Sequence, residues 1–169
     1  CGARLAPVLD TLVYLKRETE VWLEITTLLI PGLNDSEREI GEMTDWVASS
    51  LGPDVPMHFT AFHPDWKMTE IPPTPAATLA RARRIALGNG IRYAYTGNVR
   101  DPQGQSTRCH GCGSLLIGRD GYDITGWGLT GAGRCRRCGT ACAGVFAGAP
   151  GGWGSRRAPV ALGAPAVRQ

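Results

Sequence analysis

Apolar positions recur along this chain with two periods, and their alternation lays out the first hundred residues. Residues 3 to 17 carry Leu5, Val8, Leu9, Leu12, Val13 and Leu15, an apolar stripe at helical spacing. The run from Val21 to Ile30 then reads as a strand. It is nearly all apolar, as a strand buried on both faces should be, and Pro31-Gly32 stops it. Ser36 and Glu39 fit a capping box, with Ile40, Met43 and Val47 at helical spacing behind it and Gly52-Pro53 ending the helix. Met57 to Phe62 predicts a second strand. Thr74 as N-cap with Pro75 at the first helical position opens another helix, carrying Leu79, Ala82, Ile85 and Ala86. Gly88-Asn89-Gly90 terminates it, and Ile91 to Thr96 is a third strand.

Three helix–strand units in succession imply a parallel sheet with right-handed crossovers. Because the pattern opens in mid-repeat, it predicts an α/β fold in which residues 1–101 form the second half of an open or closed β/α barrel. A small free-standing three-stranded sandwich is the alternative. The composition changes at Pro102 to Gln105, marking a linker, and residues 102–146 hold a separate cysteine-rich module. Residues 147–169 are rich in Gly, Pro, Ala and Arg, have little to bury, and are expected to be disordered.

Composition adds limits. A chain of 169 residues with 43% hydrophobic residues has room for one ordinary domain plus a small module. A net charge of +3 argues against nucleic acid as a partner. No secretory signal or membrane-length apolar run is visible, which predicts a reducing, cytoplasmic setting. The chain starts at Cys1, not methionine, and enters directly into a helical pattern, so it reads as a fragment lacking its natural N-terminus.

The strongest chemical signal is a pair of C-x-x-C-G motifs. Cys109 and Cys112 are followed by Gly113, Cys135 and Cys138 by Gly139, and about 22 residues separate the pairs. Four thiolates at this spacing close a tetrahedral site, as in a zinc ribbon whose ligand pairs sit on hairpin knuckles. The glycines suit knuckle turns with positive φ. Leu115 to Ile117 and Tyr122 to Ile124, with Gly118 to Gly121 between, predict a hairpin linking the knuckles. A rubredoxin-like iron site uses similar ligands, so zinc and iron both remain open. Closed four-thiolate sites hold no position for substrate, which assigns this one to folding. Cys142 reads as a buried small hydrophobe, and His110, inside a knuckle, as exposed.

The strands carry polar residues on one face, Glu24 with Thr26 and His58 with Thr60, which suits either a polar barrel lumen or a hydrogen-bonded structural network. In barrel-type folds function gathers at the C-terminal ends of strands. There the chain places Asn34-Asp35, His63-Pro64-Asp65 and Gly97-Asn98. His63 can donate a hydrogen bond or act as a base; from spacing alone an ordinary capped loop histidine is the favoured reading.

Long collinear motifs add a resemblance. Pro7 to Leu12, Trp22 to Asp35, His58 to Asp65, Pro72 to Pro75, Arg92-Tyr93 with Tyr95 to Val99, Gly104 to Thr107, and the two cysteine pairs resemble the AmmeMemoRadiSam system radical SAM enzyme over roughly residues 1 to 146. That family is similar to pyruvate formate-lyase activating enzymes. The resemblance implies a partial, TIM-like β/α barrel that binds S-adenosylmethionine and a [4Fe-4S] cluster. It also implies reductive cleavage to a 5′-deoxyadenosyl radical that abstracts hydrogen from a small-molecule or protein substrate. His63 matches a histidine that contacts S-adenosylmethionine, and AMMECR1-like and Memo-like proteins that co-occur with the family become candidate partners. The cluster-ligating C-x-x-x-C-x-x-C triad is absent from this chain; Cys135, Cys138 and Cys142 run in the reverse order. The triad is expected upstream of Cys1. The competing reading is a zinc-ribbon binding module that recognises nucleic acid or protein, with Arg134, Arg136, Arg137, Arg156 and Arg157 as its basic surface and the α/β part as scaffold.

Overall fold

A computed structural model describes residues 2–146 together with 148, 150, 151, 154 and 155. Most of the segment expected to be disordered, residues 147–169, and both Arg156 and Arg157 lie outside the described residues. Among the described residues ten elements follow one another: α1 (Leu5–Glu18), β1 (Ile25–Leu29), α2 (Glu37–Ser50), β2 (Met57–Ala61), α3 (Ala76–Gly88), β3 (Ala94–Gly97), α4 (Pro102–Gln105), β4 (Thr107–Arg108), β5 (Leu115–Asp120) and β6 (Asp123–Trp127).

The fold is mixed α/β with two small sheets. Strands β1, β2 and β3 pair in that order and all in parallel, with Ile25 opposite Met57 and Met57 opposite Ala94. Leu29, Met57, Phe59 and Ala94 point from this sheet into a core closed by Ile40 and Val47 of α2 and Leu79, Ala82 and Ala86 of α3. Burying each Val, Leu, Ile, Met or Phe of this core contributes roughly 1.5–3 kcal/mol before entropy is counted. Strands β4, β5 and β6 form a second, antiparallel sheet. Among the described residues no helix is long and apolar enough to cross a membrane.

Local signals explain most element boundaries. The Ser36 hydroxyl accepts from the Glu39 backbone N–H at 3.2 Å and donates to the Glu39 carboxylate at 2.7 Å, closing the start of α2. Gly90, at φ +90°, lets the chain turn out of α3.

Four expectations are corrected. The first strand is shorter than Val21 to Ile30 and is not buried on both faces: Leu29 is sealed, whereas Leu28 is 43% exposed and Val21 60%. β1 is an edge strand, and the helices cover only one face of it. Thr74 does not cap α3; Pro75 holds the N-cap position. The Thr74 hydroxyl instead accepts from Phe62 N–H at 2.8 Å and donates to Leu29 C=O at 2.6 Å, tying the ends of β1 and β2 together. The stretch from Pro102 to Gln105 is not a loose linker but the short helix α4, with Asp101 accepting from Gly104 N–H and from the Thr96 hydroxyl. Finally, the ribbon hairpin turns at Gly121-Tyr122, not over Gly118 to Gly121. Gly118 lies within β5, where a Cβ would stand only 2.9 Å from the Gly126 backbone nitrogen, so a strand can pass there.

The two sheets share a seam. Tyr93, just ahead of β3, is buried with Leu116, Ile117, Leu129 and Cys142, and its hydroxyl accepts from Ala143 N–H at 3.0 Å. The Tyr95 hydroxyl lies 2.8 Å from the Thr107 hydroxyl of β4.

Candidate metal centre

The two cysteine pairs sit on matching knuckles. Gly113 N–H donates to Cys109 C=O at 2.8 Å and Gly139 N–H to Cys135 C=O at 2.9 Å. Cys109 N–H donates to Ser114 C=O at 2.9 Å and Cys135 N–H to Thr140 C=O at 2.8 Å. Each glycine has positive φ, +71° at Gly113 and +77° at Gly139, as the motif requires.

These turns bring the four thiols together. The sulfur atoms of Cys109, Cys112, Cys135 and Cys138 all lie within 4.8 Å of one another. Cys109 Sγ is 3.6 Å from Cys138 Sγ, and Cys112 Sγ is 3.7 Å from Cys135 Sγ. A disulfide requires about 2.05 Å, so these are not bridges. A tetrahedron with metal–sulfur distances of about 2.3 Å has sulfur–sulfur edges of about 3.8 Å. The arrangement fits a four-cysteine metal site, and the donor set suits zinc or iron.

The surroundings prepare the thiols unequally. Burial pushes the Cys109 thiol up to about 11. Hydrogen bonding from Ser114, first its hydroxyl and then its backbone N–H, brings Cys112 down to about 6. Thr140 lowers Cys138 in the same way. The hydroxyls lie 3.3 and 3.2 Å from the two sulfurs. Thiolate is the metal-binding form. Ser114 and Thr140 are therefore part of the site, and the sequence reading passed over them. The signal was present: the repeated unit is C-x-x-C-G-S/T, not C-x-x-C-G.

Cys142 stays outside the cluster. It is buried, 8% exposed, beside Tyr93, as a small hydrophobe should be. His110 is exposed on its knuckle, with Nδ1 3.5 Å from the Tyr93 hydroxyl. The nearby arginines are tied to backbone carbonyls and a hydroxyl: Arg134 to Gly139 C=O, Arg136 to Leu129 C=O and Arg137 to the Ser114 hydroxyl.

The other singled-out residues lie on the parallel sheet. Glu24, ahead of β1, holds His58 Nε2 at 2.7 Å, and His58 stacks on Tyr95 with ring centres 5.1 Å apart. Thr26 is exposed, Thr60 half-buried, and the Thr60 hydroxyl donates to Thr27 C=O at 3.3 Å. Burial alone would raise the Glu24 carboxyl. Hydrogen bonds from Trp22 and His58, with the charges of His58 and Arg119, outweigh it and hold the group below its usual range. His63 is exposed in the loop after β2 and forms no side-chain hydrogen bond among the described residues.

Comparison with known proteins gives one informative likeness. The chain is 43% identical over 119 residues to an uncharacterized protein of Methanocaldococcus jannaschii; the match takes in 70% of this chain and 35% of that protein, so the chain spans about a third of the relative's length. No protein-family model and no solved structure matches the chain.

Proposed function

We propose that Cys109, Cys112, Cys135 and Cys138 bind a single zinc ion as a closed structural centre that folds the ribbon onto the α/β half. The observation that carries this is the clustering of four sulfurs within 4.8 Å on two equivalent knuckles. With four thiolates the coordination shell is complete, so the ion's contribution is to folding. Purified chain should contain one equivalent of zinc, or of iron in the rubredoxin-like case, by elemental analysis, and Cys112→Ser should lose both the metal and the order of the ribbon. Finding no bound metal, with all four thiols titrating as free in reduced protein, would defeat the reading.

For the whole protein, our reading is the C-terminal part of a radical SAM enzyme of the AmmeMemoRadiSam type, with a half β/α barrel ahead of the ribbon. Supporting it are the collinear motifs, the three parallel strands alternating with helices, and the polar residues Glu24, Thr26, His58 and Thr60 gathered on one sheet face. His63 is the residue carried over as an S-adenosylmethionine contact, and AMMECR1-like and Memo-like proteins are the partners to try first. The iron–sulfur cluster does not fit the residues present. The five described cysteines all fall between Cys109 and Cys142, and four of them are committed to the ribbon. No chemical step through that cluster follows from this chain. An in-frame C-x-x-x-C-x-x-C in the coding sequence ahead of Cys1 is the expected finding.

The binding-module reading draws on the same metal ribbon. Arg134, Arg136 and Arg137 stand exposed about the second knuckle, and Arg134 and Arg136 each give one donor to a backbone carbonyl, of Gly139 and Leu129. If the ribbon grips nucleic acid, affinity should fall steeply with added salt.

A further inference from the structure

A cleft of about 1070 Å³ runs between the open face of the parallel sheet and the ribbon. Its size suits a small-molecule ligand. The sheet supplies Trp22, Glu24, His58 and Tyr95; the ribbon supplies Arg119 and Tyr122. Neither half encloses this space alone.

Arg119 is the residue that calls for explanation. It is half-buried on β5. Its Nη1 donates to Gln105 C=O at 3.1 Å and to the Thr107 hydroxyl at 2.8 Å, and its guanidinium carbon lies 5.6 Å from the centre of the Tyr95 ring. Its backbone N–H donates to the Ser106 hydroxyl at 3.0 Å. These anchors fix the side chain before any ligand arrives. Its Nε and Nη2 hold no hydrogen bond or ion pair among the described residues. That is the edge of a guanidinium that engages an oxyanion through two parallel bonds. Of the other charged groups lining the cleft, Arg100 is paired with Asp120 at 3.1 Å and Glu24 with His58 at 2.7 Å.

We infer that the cleft binds a small organic anion, with its carboxylate or phosphate held side-on by Arg119 and its apolar body against Trp22 and Tyr122. The two aromatic side chains are 39% and 79% exposed, so they present ring surface that a ligand would cover. The Glu24 carboxylate in the same cleft disfavours a second negative charge on the ligand. The expected ligand therefore carries its anionic group at one end only. This site needs the ribbon folded, whether metal or packing holds it so, and it is independent of the radical SAM reading.

Phenyl phosphate and benzoate separate the two anion types, and benzyl alcohol reports any purely aromatic binding. Calorimetric titration of the metal-loaded full chain should show saturable binding of at least one anion and markedly weaker binding of the alcohol. Arg119→Met should weaken that binding by about tenfold or more, with bound metal unchanged, and Arg119→Lys should fall between, since it keeps the charge and loses the two-pronged contact. In wild-type protein the Arg119 Nε–H resonance should shift as the anion saturates, which needs no variant to fold. Absence of binding by both anions, an unmoved Arg119 resonance, unweakened binding by metal-replete Arg119→Met, or equal binding of benzyl alcohol overturns the inference. Anion binding through Arg119 by protein that proves metal-free would sink the metal centre and leave the anion site standing.

Discussion

Thr74 shows how much one hydroxyl can hold. It is 6% exposed and accepts from one strand end while donating to another, so removing it strands two buried backbone groups. Thr74→Val should cost about 1–3 kcal/mol, read as a lower urea midpoint with an unchanged slope. Glu24 gives a pH signature. Its folded carboxyl titrates below the usual value near 4.5, so its stabilising interactions are complete above that value and disappear as pH falls through the depressed folded one. The stability gap between wild type and Glu24→Gln should close as pH falls below about 4.5; a gap that persists unchanged into acid contradicts the assignment. Thr74 was legible only as a cap, because a threonine before Pro75 satisfies that pattern whatever its hydroxyl actually meets. The partner atoms lie 12 and 45 residues away, and no local rule reaches them.

At the scale of elements, the helices followed from local chemistry and the strands did so less well. The capping box at Ser36 and Glu39 placed the start of α2, and Ser36→Ala should destabilise by about 1 kcal/mol in chemical unfolding. Strand limits depend on which neighbour is present to pair with. Val21 to Ile30 is mostly apolar along its whole length, yet only Ile25–Leu29 pairs with β2. In the ribbon, Gly128 lies where a Cβ would strike the Leu115 carbonyl oxygen, and its N–H donates to Leu116 C=O at 2.7 Å. A backbone atom cannot move aside as a side chain can. Gly128→Ala should therefore lower the fraction of chain that retains metal, measured by elemental analysis after desalting.

At the scale of the molecule, two clusters of buried residues divide the work. One packs the parallel sheet against α2 and α3; the other gathers Leu116, Ile117, Leu129 and the cysteines around Tyr93. Metal removal should act on the second. Chelation should abolish hydrogen-exchange protection across residues 107–142 while the amides of α2, β2 and α3 remain protected; simultaneous loss everywhere would show instead that the seam at Tyr93 makes one cooperative unit. Local spacing and residue chemistry were enough for the α/β order of elements, the four clustered cysteines and the knuckle glycines, because each rests on spacing within a few residues or on the chemistry of one residue type. It also carried the C-x-x-C-G-S/T repeat, although the hydroxyl in it acquires meaning only when seen beside the sulfur. Tertiary structure alone decided that the first strand is an edge with an open face, that Thr74 joins two strands, and that Arg119 of the ribbon meets Glu24 and His58 of the sheet across a shared cleft. Those relations join residues tens of positions apart, and they are set by how two hydrophobic clusters pack against each other, which no periodicity along the chain encodes.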